Sequence, residues 1–451
     1  MSTKRKSVSK PVVNKRASNK LSNVKLWNDE NISDGSSGSD DEKLDDESDE
    51  SEEETANEKR KRLAKEYLNS VKEDRDGSSD DEDSDGSSDD EDKDAKVSMK
   101  LRKQRLESQG KYFRNLADTI EGIAEDSWIQ RKLNGHENAV TCVALTTDDS
   151  TIYSGAKDNS LIKWDVESGS KIILKAKWNG QVVPRTQSIE GEVLSVAVSH
   201  DGKYIASGGR DKFVRIYDSR SDSEIKCFAG HRDAVSSLCF QKDTYTLFSG
   251  SFDRCVKHWD LNEMGYIETV FGHQDSIYSL DCWIKEKPVT SSGDRSIRLW
   301  KIADESHLVY KGHNSSIDCI QYLMDDIFLS AGQDGSIKLW KDTSKKPIAS
   351  VDQAHGMEGA YNPRWISSLA CIKMSDLAVS GSCDGYARLW NVDATNKRIK
   401  LVNKIPVDGF INGLAVSNNL LVAGTGREHR LGRWSHFRGN KNKIIVTRLN
   451  S

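Results

Sequence analysis

No apolar run approaches the ~18 residues that cross a bilayer as a helix, which excludes a helical integral membrane protein. The opening MSTKRKSVSK has no apolar h-region, which argues against a secretory signal. None of the eight cysteines forms a CxxC pair, and Cys142, Cys239, Cys282, Cys319 and Cys371 sit inside apolar runs. They read as reduced core thiols of a nuclear or cytosolic protein, neither a disulfide framework nor a zinc site. The histidines show no HExxH or similar ligand spacing, so no metal is expected. Gly424-Thr425-Gly426 lacks the third glycine and the βαβ setting of a nucleotide fingerprint, so no cofactor is expected either. Hydrophobic residues make up 35% of the chain but are scarce over the first 95 residues. A stretch that polar cannot offset its chain entropy by burial, so residues 1–96 are expected to be disordered.

Charge is present in blocks. Residues 1–126 hold 24 basic and 34 acidic side chains, whereas 127–451 hold 42 basic and 37 acidic. The first 26 residues carry eight Lys or Arg and no acid, which reads as a nuclear targeting run. Residues 29–54 carry fourteen acids and one Lys, and 76–94 carry eleven acids and one Lys. Such blocks repel themselves and stay extended. The acidic runs that begin at Ser39, Ser51, Ser79 and Ser88 resemble sites for an acidophilic kinase, so the chain is expected to be a phosphoprotein. Between the blocks, residues 55–73 place Leu63, Tyr67 and Val71 on one stripe of a short basic helix. A helical linker is expected over 97–126, with Leu116 and Ile120 on its apolar face.

From Trp128 onward one pattern recurs: Gly-His, an apolar run, a Ser or Thr four residues before an Asp, then an aromatic. Gly135-His136 leads to Asp158 and Trp164, Gly230-His231 to Asp253 and Trp259, Gly272-His273 to Asp294 and Trp300, and Gly312-His313 to Asp334 and Trp340. Two copies depart from it: one ends Asp211 and Tyr217, the other has Ala354-His355 ahead of Asp384 and Trp390. The period of 40 to 53 residues and the alternating strands specify an all-β, seven-bladed WD40 β-propeller over 127–451. The seventh blade takes three strands from FINGLAVS, LLVAGTG and KIIVTRL, and its outer strand from residues 127–133 at the other end of the domain.

Ser, His and Asp recurring together invite a hydrolase reading. Six near-copies suit a scaffold far better, because a catalytic triad is needed once; no catalytic residue is therefore assigned and no enzyme is expected. Basic side chains on loops carry more information. Arg210, Lys212, Arg254 and Arg295 flank the Asp of the turn between the second and third strands, so they should gather on one rim. The corresponding loop of the last blade offers Arg427, His429, Arg430 and Arg433 beside a single acid, Glu428. With Trp434 and Phe437 interleaved, this composition suits RNA phosphates and bases.

The segments ETANEKRKRLAKEYL, GHRDAVSSL, FGHQDSIYSLD, GHNSSIDCI, WISSLA, GFINGL and GREHRLGRW together resemble the WD40 subunit of the U3 small nucleolar ribonucleoprotein, the U3 55-kDa protein family. The likeness runs from about residue 54 to the C-terminus, with Tyr217 and Thr447 standing where blades usually offer Trp. It implies a non-catalytic nucleolar subunit of a box C/D particle. It further implies binding near the B/C motif of U3 RNA beside a small kink-turn-binding core protein, among small-subunit processome proteins in early pre-ribosomal RNA processing. The alternative is a WD40 protein–protein adaptor of chromatin or ubiquitin-ligase type, with no RNA role.

Overall fold

The computed structural model describes Arg102 and Arg105, residues 112–124, 128–174, 191–358, 362–433 and 441–449, and the backbone of 177–178 and 181–182. The basic, acidic and Ser-rich tail, its candidate helix 55–73, and Trp434 and Phe437 lie outside the described residues.

The described residues form seven four-stranded antiparallel sheets and two short hairpins. With strands lettered a to d in order, blade 1 spans 140–174, blade 2 193–228, blade 3 235–271, blade 4 277–311, blade 5 317–351 and blade 6 368–406. Blade 7 spans 410–448 for strands a to c, and its strand d is Gln130–Leu133, paired from Gln130 opposite Thr447 to Leu133 opposite Ile444. Strands a contact their neighbours in ring order, with blade 7 against blade 1, and pairing of strand d of blade 7 from the start of the domain closes the ring.

Sequence explains both the strands and their stacking. In strand b the residue after the recurring hydroxyl is small because the next blade leaves no room. A Cβ on Gly155 would lie 2.5 Å from Val193, one on Gly208 2.6 Å from Val235, and one on Gly250 2.9 Å from Ile277. The same holds for Gly381 against Ile411 at 2.5 Å and for Gly424 against Val140 at 2.8 Å across the closure. Each pair sets a glycine under a β-branched residue of the following strand a. These contacts lie in the apolar clusters that fill the spaces between blades.

The recurring polar residues form one chain of hydrogen bonds in each of blades 3 to 6. In blade 3 the Trp259 indole donates to Ser249 Oγ (2.8 Å), His231 Nε2 meets the same oxygen (2.7 Å), and His231 Nδ1 meets Asp253 (2.9 Å). Blades 4, 5 and 6 repeat this through His273–Thr290–Trp300, His313–Ser330–Trp340 and His355–Ser380–Trp390. His355 thus serves without a preceding glycine. Burial raises Asp253, but hydrogen bonds from His231 and the Arg232 N–H outweigh it and hold the carboxyl at about 2. In blade 2, which has no histidine at this position, Arg215 takes the place and pairs with Asp211 at 2.5 Å.

The linker ahead of the ring is only partly helical. Arg102 and Arg105 lie in helix, Tyr112–Asn115 are not helical, with Arg114 bridged to Ser375, and a second helix occupies Ala117–Glu121. Asp376 accepts the N–H groups of Leu116 (2.8 Å) and Ala117 (3.2 Å), capping the helix from blade 6. Asn403 donates to Ile120 O and Ile123 O at its far end. Ile120, 2% exposed, enters the cluster of Leu377, Ile405 and Ile445 between blades 6 and 7. These tertiary contacts fix the short helix against blades 6 and 7, while the backbone of Arg114 is paired with Met374 and Asp376 instead.

Candidate nucleic-acid interface

In an antiparallel blade the b–c turns and the d–a connections emerge on the same face. All eight sequence-derived residues lie in b–c connections of blades 2, 3, 4 and 7, hence on that face. They do not all point the same way.

The position after the turn Asp adopts left-handed backbone in every blade with a short turn. Glycine fills it in blades 5 and 6 (Gly335, φ 65°; Gly385, φ 85°) and Asn159 in blade 1 (φ 61°). Blades 2, 3 and 4, which are consecutive in the ring, place Lys212 (φ 70°), Arg254 (φ 70°) and Arg295 (φ 61°) there. A long side chain at such a position costs about 1 kcal/mol or more relative to glycine. Three adjacent blades therefore bear backbone strain to present exposed cations in an arc. Arg210, also exposed, is bonded to Glu192 at 2.7 Å and contributes less free charge.

The blade 7 loop is split into an outward and an inward set. Arg427 is exposed, and the side chain of Arg433 is 78% exposed. Arg433 Nε reaches Glu428 at 3.0 Å, and the other Glu428 oxygen is held by Lys157 of blade 1, also at 3.0 Å. His429 and Arg430 turn into the ring instead. His429 is 3% exposed and stacks on Trp365 with ring centroids 4.0 Å apart, while Phe410 meets it edge-on at 6.3 Å. Burial, together with the positive charges of Arg430 and Lys157, lowers His429 to about 3, so it is neutral at physiological pH. Arg430 crosses from blade 7 to blade 5 and donates through Nη2 to Asp318 O (2.9 Å). Burial pushes the Asp318 carboxyl up to about 7, against the opposing pull of Arg430 and of hydrogen bonds from Trp365 and Ser316.

Asn412 ties these parts together. Its Nδ2 donates to Val140 O and Glu428 O, both at 2.9 Å, and its Oδ1 accepts the Arg430 N–H at 2.9 Å. It is 1% exposed. The loop backbone therefore hangs on one side chain of the first strand of its own blade. Four segments distant in sequence meet here: Asp318 from GHNSSIDCI, Trp365 from WISSLA, Phe410 and Asn412 from GFINGL, and Glu428, His429 and Arg430 from GREHRLGRW. Composition alone pointed to the cations and missed Asp318, Trp365 and Asn412. The signal for them was the joint occurrence of those segments, which spacing does not translate into contact.

The recurring polar chains are closed off from solvent. The side chains of His231, His273, His313 and His355 have no exposed surface, so no substrate reaches the recurring His–Ser/Thr pairs. Among the described residues no group of three or more His, Cys, Asp or Glu could hold a metal ion.

The chain matches the WD domain, G-beta repeat family over residues 127–165, 184–218, 222–260, 265–301, 305–341 and 353–391. It is 41% identical to human U3 small nucleolar RNA-interacting protein 2 over 87% of this chain and 82% of that protein. Ribosomal RNA-processing protein 9 of Saccharomyces cerevisiae is 27% identical over 86% and 88% of the two chains. A solved structure of U3-55K superposes with a TM-score of 0.67 at 43% identity, covering 71% of this chain and 98% of that one. With seven closed blades and this extent of likeness, the chain belongs to the WD-repeat family that contains U3 small nucleolar RNA-interacting protein 2.

Proposed function

We propose that this protein is a non-catalytic, RNA-binding subunit of the U3 box C/D small nucleolar ribonucleoprotein, acting in the nucleolus in pre-ribosomal RNA processing toward the small subunit. The contact surface is the b–c face: the outward Arg427 and Arg433 of blade 7 and the Lys212, Arg254 and Arg295 arc, with Arg210 at its margin. His429 and Arg430 act as braces that position the loop. The RNA element is the B/C motif region of U3, reached beside the kink-turn-binding core protein, with small-subunit processome proteins as further neighbours. The names of the relatives support the U3 and rRNA-processing assignments. The observation that carries the reading is that segments by which the chain resembles this family converge to hold an Arg-bearing loop of blade 7. Guanidinium groups suit this task because they bind phosphate bidentately and stack on unpaired bases.

The test is U3 RNA binding, with and without the core protein, as a function of salt. The Arg427→Ala/Arg433→Ala double variant should melt like wild type, bind at least about tenfold more weakly, and show a log–log salt slope shallower by about two. Unchanged binding would remove the loop from the interface. Retained association that is insensitive to salt and needs only proteins would favour an adaptor role.

A further inference from the structure

The rim of blade 3 holds a basic and aromatic groove of about 630 Å³. Phe271 is the most exposed large apolar side chain among the described residues, at 69%. It ends strand d directly opposite Cys255, and so stands beside Arg254, the strained cation of the neighbouring turn. Arg232 is brought to the same place because its backbone N–H donates to Asp253, the residue before Arg254, at 2.9 Å. Lys257 lines the floor, its Nζ hydrogen-bonded to Thr269 at 2.7 Å. Neither the Arg232 nor the Arg254 guanidinium forms an ion pair or side-chain hydrogen bond among the described residues. Asp253 accepts from His231, the Arg232 N–H and the Cys255 N–H and forms no ion pair with either guanidinium, so the groove sets three cations, Arg232, Arg254 and Lys257, against the two carboxylates Asp253 and Asp233. Asp233, the other carboxylate of the groove, accepts from the Ala234 N–H.

An exposed ring costs solvation, and a left-handed Arg costs backbone energy; here both are placed side by side with a second unpaired guanidinium. We propose that this groove is a single-nucleotide subsite, in which an unpaired RNA base stacks on Phe271 while its phosphate is held by Arg232 and Arg254. The proposal rests on the RNA reading above and deepens it, since it gives Arg254 of that arc a defined subsite on blade 3. Stacking on an aromatic ring tolerates any base, so the subsite selects unpaired RNA without selecting a sequence. Phosphate contacts from the two arginines set the register of the strand.

The probe is a short single-stranded oligoribonucleotide carrying 2-aminopurine, titrated with the full-length protein. Stacking should quench its fluorescence with wild type. Phe271→Ala should abolish the quench and weaken binding by about tenfold, while Phe271→Tyr should retain both. Phe271→Leu should behave like Ala, because an aliphatic side chain buries surface without stacking. Arg232→Ala/Arg254→Ala should weaken binding and reduce the salt slope by about two. All four variants alter exposed side chains and should melt like wild type. Wild-type binding by Phe271→Ala would overturn the proposal, as would full binding by Phe271→Leu, which would mark an apolar protein contact. If Arg427→Ala/Arg433→Ala loses U3 RNA while Phe271→Ala does not, the subsite falls and the RNA role stands; if wild type binds no RNA, the RNA role falls first.

Discussion

Replacing Asn412 with Ala tests whether one buried side chain holds the blade 7 loop in place. The change removes three hydrogen bonds of 2.9 Å and leaves the Arg430 N–H, Val140 O and Glu428 O without that partner in a site where Asn412 itself is 1% exposed. A stranded buried polar group costs about 1–3 kcal/mol, and part of that is recovered when the loop moves out and water enters. The net loss should therefore be about 2–4 kcal/mol, taken mostly as local opening of the loop and less as global unfolding. Hydrogen exchange separates the two. The Arg430 amide should exchange at least about thirtyfold faster in Asn412→Ala, while amides of strand b in blade 3 keep their protection. Binding to U3 RNA should weaken even though every arginine is retained, because Arg427 and Arg433 would no longer be presented from a fixed backbone. Unaltered exchange at Arg430 would refute the reasoning, since it would mean that stacking of His429 on Trp365 holds the loop without Asn412.

Two further outcomes follow from the ring itself. Trp259→Ala removes a 2% exposed ring that stacks on Phe228 at 4.9 Å and donates to Ser249, and should cost about 3–5 kcal/mol by chemical denaturation; an unmoved midpoint would refute its place in the scaffold. The inward side of the blade 7 loop should also contribute to the pH dependence of stability. Asp318, raised from 3.8 to about 7, keeps a proton that the unfolded chain loses, so its contribution declines as pH rises through that window. His429, lowered from 6.5 to about 3, refuses a proton that the unfolded chain takes up, so its contribution declines as pH falls below about 6.5. The two oppose each other between about pH 4 and 6.5. Asp318→Asn should remove only the first, making stability rise with pH in that range more steeply than in wild type, by up to about 1.4 kcal/mol per pH unit. Urea midpoints across pH would show this, and parallel curves for the two proteins would refute it.

The sequence by itself determined the repeats, and through them the propeller. The chemistry of each blade is local in register: a hydroxyl four residues before an Asp and ten before an aromatic places all three around one histidine, as Ser249, Asp253, Trp259 and His231 show. The cations of blades 2, 3 and 4 were legible for the same reason, because the turn Asp marks where they must stand. Composition also found the blade 7 loop. It did not tell Arg433 from Arg430, which are three residues apart and alike in type. Only the tertiary structure decided that Arg430 and His429 turn inward while Arg427 and Arg433 face solvent. The reason is that Asp318, Trp365 and Asn412 come from three other places in the chain and compete for those side chains across the ring, and no periodicity records a contact made over 112 residues. The same limit applies to the linker, where the backbone of Arg114 pairs with Met374 and Asp376 ahead of the short helix, and to Phe271, which acquires Arg232 and Arg254 as neighbours only once strand d of blade 3 lies beside its own turn.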